Sequence, residues 1–274
     1  MAILGDSHVH STFSGDGEST MEEQIEKAIS LGMRSVTFTE HNDFDFPYKE
    51  GDRQDMFLLN ADSYLYDLLS LKAKYEDKIR ILFGVELGLQ PQQETVKKNL
   101  IFARAHEYDF IIGSSHLCHG KDPYYREFFE GRSEEEAHRE YFESILENMK
   151  LFSNFDVYGH LDYVVRYGPR KDFEYSYQQH ADIIDEILKW LIENEKGIEV
   201  NTAGPRCGLK EPNPCWDIVK RYRELGGEIV TVGSDAHSSD YIAYHFDETA
   251  QILKELGFNY YAVYENRLPE YFKL

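Results

Sequence analysis

The sequence predicts an α/β fold built from repeated strand–helix units, on three observations. Short β-branched runs alternate with longer segments whose apolar residues recur at helical spacing, the pattern of parallel strands joined by helices. Residue types able to bind metals stand at the C-terminal ends of most of those runs. No repeat, low-complexity tract or Pro/Gly/Ser linker interrupts the 274 residues, so one domain over residues 1–274 is expected.

The first strand is expected over residues 3–9. A helix follows over 20–31, opened by Thr20 and Glu23 at capping-box spacing and stopped at Gly32. A strand at 34–39, a helix at 55–77, a strand at 80–87 and a helix at 92–106 continue the alternation. After a strand at 110–115, Ser133 and Glu136 give a second capping box for a helix over 133–151. The strand at 157–161 leads to a helix over 176–194, where Ile183, Ile184, Ile187, Leu188, Leu191 and Ile192 form one apolar stripe suited to packing on a sheet. The last units are a strand at 197–201, a helix at 215–225 ending at Gly226, a strand at 228–234 and a helix at 246–256. A doubly wound sheet and a barrel both satisfy this order. A barrel brings every C-terminal strand end to one rim, whereas an open sheet concentrates its site at one switch point.

Composition narrows the partners. The chain is 42% apolar and 14% aromatic, enough for a large core without staples. Cys118, Cys207 and Cys215 are an odd number with no CxxC pair, which argues against a disulfide framework and for a reducing compartment. The start "MAILGDSHVH" lacks a basic segment leading into a long apolar run, and no window approaches the roughly 20 apolar residues a membrane span needs. A cytoplasmic protein without a membrane partner is therefore expected. A net charge of −21 also argues against nucleic acid as partner, so any anionic substrate requires a localised positive trap.

The strand ends supply candidates for such a trap. They carry His8 and His10, then Thr39-Glu40-His41, then Glu86, His116, His160, and finally Asp235 with His237. A lone histidine at a strand end is more often a hydrogen-bonded or surface residue. Six of seven expected strands ending this way is harder to explain so, because imidazole and carboxylate are the common ligands of zinc, iron and manganese. His8 and His10, two apart on an extended strand, point to one face, and Asp235 and His237 repeat the spacing. His106, His119, His138, His180 and His245 fall in helices or loops and read as structural or surface residues, His119 being the nearest to the cluster in sequence.

The segments "DSHVHSTFSGDG", "FTEHND", "GVELGL", "GSSH", "YGHLDYVVRYG", "VNTAG" and "GSDAH", in that order over most of the chain, resemble the PHP (polymerase and histidinol phosphatase) family. Within it they resemble the monofunctional bacterial histidinol-phosphate phosphatases. The resemblance implies a distorted (β/α)7 TIM-like barrel with three divalent metal ions at the C-terminal rim of the strands. It implies a first metal held by His8, His10, Glu86 and Asp235, a second sharing Glu86 with His116 and His160, and a third held by Asp16, His41 and His237. Some relatives carry a histidine where Asp16 stands; an aspartate is also a sound ligand.

The implied function is hydrolysis of L-histidinol phosphate, a small phosphorylated metabolite of histidine biosynthesis. Three divalent ions, three carboxylates and one hydroxide would leave a net charge of about +2, opposite to the roughly −2 of a phosphate monoester. Divalent ions would also make hydroxide available near neutral pH. Asp235 is the first candidate to pass a proton to the leaving alkoxide, with His237 or water as rivals. Arg166, six residues past His160, would grip phosphate oxygens unless it forms a surface ion pair, and Arg206 in "NTAGPRCG" is a second, weaker candidate. Asn201 would orient substrate or cap its strand–helix turn. The loop over 42–52, with Asp43, Asp45, Phe44, Phe46 and Tyr48, offers an acidic, aromatic wall for an ammonium and an imidazole. Competing readings are a family hydrolase with another phosphoester, a barrel hydrolase of amides or lactones, and a non-catalytic metal-binding module. The ligand types do not distinguish zinc, manganese and iron.

Overall fold

A computed structural model describes residues 2–274. Seven strands form one parallel sheet in sequential order: β1 (Gly5–Val9), β2 (Ser35–Asn42), β3 (Arg80–Gly88), β4 (Phe110–Ser114), β5 (Val157–Tyr158), β6 (Gly197–Asn201) and β7 (Val230–Gly233). They alternate with α1 (Met21–Ser30), α2 (Ala61–Lys74), α3 (Gln93–Ala105), α4 (Glu134–Leu151), α5 (Ala181–Glu193), α6 (Trp216–Glu224) and α7 (Phe246–Glu255). The sheet curls into a nearly closed barrel. β7 returns to β1, and the seam is stitched past the strand ends by Asp235 N–H donating to His8 O at 2.8 Å and His10 N–H donating to Ala236 O at 2.9 Å. Of the two architectures compatible with the alternation, the barrel is the one formed. Among the described residues no helix is long and apolar enough to cross a membrane.

The expected helix signals operate. Thr20 with Glu23 and Ser133 with Glu136 close both capping boxes. In α5 the residues Ile183, Ile184, Ile187, Leu188 and Leu191 are buried against the barrel, each contributing roughly 1.5–3 kcal/mol of hydrophobic stabilisation; Ile192 is only partly covered.

Several boundaries differ, each for a local reason. α2 begins at Ala61 rather than 55, because the Asn60 side chain caps the helix by accepting from Ser63 N–H. α5 begins at Ala181 rather than 176, since residues 177–180 wind as a 3₁₀ turn. β5 has two residues rather than five: His160 adopts φ 23°, and its N–H leaves the ladder to donate to Glu199 Oε2 at 2.9 Å.

One element is additional to the expected units. β8 (Tyr260–Glu265) and β9 (Leu268–Lys273) form an antiparallel hairpin after α7. Its Ala262 and Tyr264 pack on Phe110, Ile112 and Val157, and Arg267 N–H donates to Asp109 O at 2.9 Å. Leu4 N–H donates to the Tyr261 hydroxyl. Apart from Ile112, two residues into β4, these partners precede or begin their strands, so the hairpin covers the N-terminal mouth of the barrel.

Candidate metal centre

Glu86, at the C-terminal end of β3 and 0% exposed, is the hub of the C-terminal rim. Its Oε1 lies 2.8 Å from His160 Nε2 and 3.1 Å from His116 Nε2. Its Oε2 lies 2.9 Å from His41 Nδ1, 3.3 Å from His8 Nε2 and 3.6 Å from His10 Nε2. Five imidazoles from four strand ends thus converge on one carboxylate. Asp235, after β7, sits with φ 53°, a left-handed conformation that aspartate tolerates better than most residues. Its Oδ1 is 3.6 Å from His8 Nε2 and 3.4 Å from His10 Nε2. At the outer edge Asp16 Oδ2 lies 3.3 Å from His237 Nε2 and 3.7 Å from His41 Nε2. All nine residues named from the sequence as metal ligands meet in this cleft.

The hydrogen bonds behind the rings fix which nitrogens face inward. His8 Nδ1 donates to Glu199 Oε1 at 2.5 Å. His10 Nδ1 donates to Ser14 Oγ at 3.1 Å, because that hydroxyl spends its own proton on Glu40. His116 Nδ1 donates to Asp43 Oδ1 at 2.8 Å, and His237 Nδ1 to the Asp235 carbonyl at 3.0 Å. With each Nδ1 proton so committed, the Nε2 lone pairs point into one cleft. The Nε2 atoms of His8 and His10 face each other across 2.9 Å, and those of His41 and His237 across 3.3 Å. Facing acceptors repel unless a cation lies beside them, and imidazoles oriented by carboxylates are the usual preparation for metal ligation. Three inward groups have donor atoms within 4.8 Å of one another: His8, His10 and Asp235; His41, Glu86 and His116; His10, His41 and His237. The residues fit divalent metal ions.

The electrostatics of the metal-free cleft favour positive charge, which protons or metal ions can supply. Burial alone would lower the His8 pKa, but Glu199, Glu86 and Asp235 outweigh it and hold it well above the usual value. Asp43 and Glu86 do the same for His116 against burial, and Asp16 and Asp235 raise His237 to about 9. His10 goes the other way, lowered by burial and by His41 and His237. Burial opposes ionisation of Glu86 and Asp235, yet the surrounding imidazoles keep both carboxyls well below their usual range. The cleft is a field of fixed anions that draws cations.

Other expected residues fall around this floor. Arg166 is buried, and its guanidinium donates to Asn213 Oδ1, Asn201 Oδ1 and Asp235 Oδ2 at 2.7, 2.9 and 3.2 Å, so it is no surface ion pair. Asn201 sits beside Arg166 and Asp235 at its turn. Fully buried, it accepts from Ala203 N–H at its turn and steadies Arg166 and Asp235. Arg206 donates to the carbonyls of Ser234 and Asp235, and its Nε is buried without a partner.

The cleft has a volume of about 390 Å³. Its outer wall includes Asp43, Phe46, Tyr48, Asp52, Phe57, Asp122, Tyr124, Tyr125 and Tyr163. Asp43 belongs partly to the floor, since one of its oxygens holds His116. Asp45 departs from the expectation for its loop: its carboxylate is committed to Thr95 and Lys98, outside the cleft. Asp122 is the wall acid the sequence reading missed. Burial raises its pKa to about 6 against the pull of the Tyr124 N–H and His116. Glu199 was missed as well. Its signal was a charged residue between Ile198 and Val200 in a strand too apolar to be exposed, where a charge must find a partner. Glu40 faces the other way, taking hydrogen bonds from the backbone and hydroxyls of Ser11 and Ser14, and so shapes the loop that carries Asp16.

Comparison with known proteins adds the lineage of this arrangement. The family model described as PHP domain matches residues 6–203. The chain is 33% identical over 265 residues to the histidinol-phosphatase of Lactococcus lactis, covering 94% of this chain and 93% of that protein. It is 32% identical to a Clostridium acetobutylicum protein named "Probable histidinol-phosphatase", covering 98% and 100%. The crystal structure of the Lactococcus lactis histidinol phosphate phosphatase, complexed with zinc, L-histidinol and phosphate, superposes with a TM-score of 0.85 at 32% identity, over 97% of this chain and 98% of that one.

Proposed function

This chain belongs to the PHP domain family, and from that premise we propose that it is a metal-dependent phosphomonoesterase hydrolysing L-histidinol phosphate to L-histidinol and phosphate. The observation that carries the reading is the polarity of the cleft, with inward lone pairs and carboxylates at the floor and acids and aromatic rings at the mouth. A cation-loaded floor takes a phosphate dianion. An acidic, aromatic mouth takes an ammonium and an imidazole. The Lactococcus lactis relative, solved with zinc, histidinol and phosphate, supports the same pairing.

We assign three divalent ions of the zinc, manganese or iron class to the floor. His8, His10, Glu86 and Asp235 would hold one, Glu86 with His116 and His160 a second, and Asp16, His41 and His237 a third. Bound there, such ions supply Lewis acidity and lower the pKa of water to roughly 7. The remaining work belongs to side chains. Arg166, already oriented by Asn201 and Asn213, directs its guanidinium at the phosphate oxygens and stabilises charge that grows there in the transition state. Arg206, which does not line the cleft, steadies the Asp235 backbone. Asp235, ionised at rest, takes the proton that the attacking water gives up and passes it to the leaving alkoxide oxygen, with His237 beside it as the alternative carrier. Asp43 orients His116, and Asp122 takes the substrate cation against Tyr124 and Tyr125. On this reading the enzyme serves histidine biosynthesis in the cytoplasm, and its three free cysteines suit a reducing compartment.

The test is phosphate release from a panel of phosphorylated metabolites by protein loaded with manganese, zinc or ferrous ion. The reading expects the highest kcat/KM for histidinol phosphate. A preference for another monoester or for a diester would overturn the substrate; inertness toward every phosphoester would overturn the activity.

A further inference from the structure

We propose that the chain carries a separate, sulfur-containing site for a zinc-class divalent cation, built from Cys118, His119 and Glu140. The Cys118 sulfur, a His119 ring nitrogen and a Glu140 carboxylate oxygen lie within 4.8 Å of one another. Neighbouring residues of an extended chain point to opposite sides, so a Cys-His pair does not ordinarily converge. Here the chain reverses. Cys118 and Lys121 exchange backbone hydrogen bonds of 2.8 and 3.0 Å, and the two residues between them, His119 and Gly120, have φ 49° and 77°, as a type I′ turn requires. Left-handed backbone is uncommon outside glycine. At His119 it brings the imidazole to the side of the turn that carries the thiol.

The turn rests on α4. His119 Nδ1 lies 3.1 Å from Glu140 Oε1, and Nε2 lies 3.3 Å from Glu147 Oε2, two carboxylates seven residues apart on one helix face. Cys118 is fully buried with its thiol against Ser144 of the same helix, while exposed His119 leaves an approach from solvent. Arg132 takes the other oxygen of Glu140 and fixes its orientation, as partners of metal ligands commonly do. Thiolate, imidazole and carboxylate are zinc ligands, and three of them leave a fourth position for water, while Glu147 at Nε2 is placed to hold the proton of the ring's other nitrogen. The location gives the site a consequence. Residues 118–121 join His116 of the metal centre to Asp122, Tyr124 and Tyr125 of the cleft wall, so an ion here pins that wall to α4.

The nine residues at the barrel rim include no sulfur, and this makes the site separately visible. Chelator-stripped, reduced protein is titrated with Co²⁺, and the sulfur-to-cobalt charge-transfer absorption is followed in the near ultraviolet. The proposal expects a saturable band whose final amplitude corresponds to one cobalt–thiolate bond per chain, whatever share of the cobalt the rim takes first, and which is absent in Cys118→Ser and persists in Cys207→Ser and Cys215→Ser. His119→Ala, altered only at an exposed position, should weaken the apparent affinity at least tenfold and guards against a folding defect in the serine variant. No band at any loading, a band that survives Cys118→Ser, or wild-type affinity in His119→Ala would overturn it.

Discussion

Glu199→Gln tests the hydrogen bonds behind the metal centre most sharply, because an amide cannot imitate this carboxylate in either orientation. Both oxygens of Glu199 accept: Oε1 from His8 Nδ1 at 2.5 Å, Oε2 from the His160 backbone N–H at 2.9 Å and from Asn201 Nδ2 at 3.3 Å. A glutamine with its oxygen toward His8 turns its NH₂ against the His160 N–H, and a buried donor left unpaired costs about 1–3 kcal/mol. With its NH₂ toward His8, it forces the ring proton onto Nε2 and removes the lone pair that faces His10 and Glu86. Loss of such an orienting partner typically lowers metal affinity by about 10–100-fold, which is roughly 1.4–2.8 kcal/mol and agrees with the first figure. Competition of the variant and wild type with a fluorescent chelator for Zn²⁺ or Mn²⁺ measures it, with near-UV circular dichroism to verify the fold. Affinity within twofold of wild type would refute the reasoning, since it would mean that His8 ligation does not depend on its Nδ1 partner.

Three further outcomes follow from the same geometry. Asp122→Asn should raise KM for histidinol phosphate on the order of tenfold, the worth of about 1.4 kcal/mol, while leaving KM for p-nitrophenyl phosphate unchanged; equal effects on both substrates would remove the cation from this wall. Gly88→Ala would set a Cβ 1.9 Å from Asp43 Oδ1. The displaced carboxylate should release His116 and weaken metal binding by about 10–100-fold, read by the same chelator competition, with thermal unfolding of the metal-free protein as the control. His138 lies on α4 away from the metal centre, and burial, helped by His180, lowers its pKa to about 4. The unfolded chain therefore binds the extra proton at higher pH than the fold does, so stability present above about 6.5 is lost as pH falls toward 4. By pH 5 that loss is on the order of 2 kcal/mol, and denaturant unfolding of His138→Asn should lack this part of the acid sensitivity.

The barrel was legible because its polar residues sit at strand ends, where a parallel barrel collects them at one mouth. His8 and His10 declare themselves by spacing, and Glu86 and Asp235 by standing where apolar strands stop. What stayed hidden depends on contacts between distant segments. Glu199 is one charged letter in an apolar strand until the fold sets it against His8, which is 191 positions away. Asp43 and Asp45 read alike in one acidic loop, yet the first turns inward to His116 and the second outward to Lys98. The closing hairpin of Tyr260–Glu265 and Leu268–Lys273 follows the last helix in place of an eighth strand–helix unit, so the alternation gave no cue to it. β5 is short because His160 trades its ladder position for the cleft, a choice that only its Glu199 partner makes worthwhile.

Anomalous scattering at the metal absorption edge, from crystals of manganese- or zinc-loaded protein, tests the central claim most directly. Three peaks at the barrel mouth are expected, one within reach of His8, His10, Glu86 and Asp235, one of Glu86, His116 and His160, and one of Asp16, His41 and His237. Saturated crystals with no density among these side chains would contradict it.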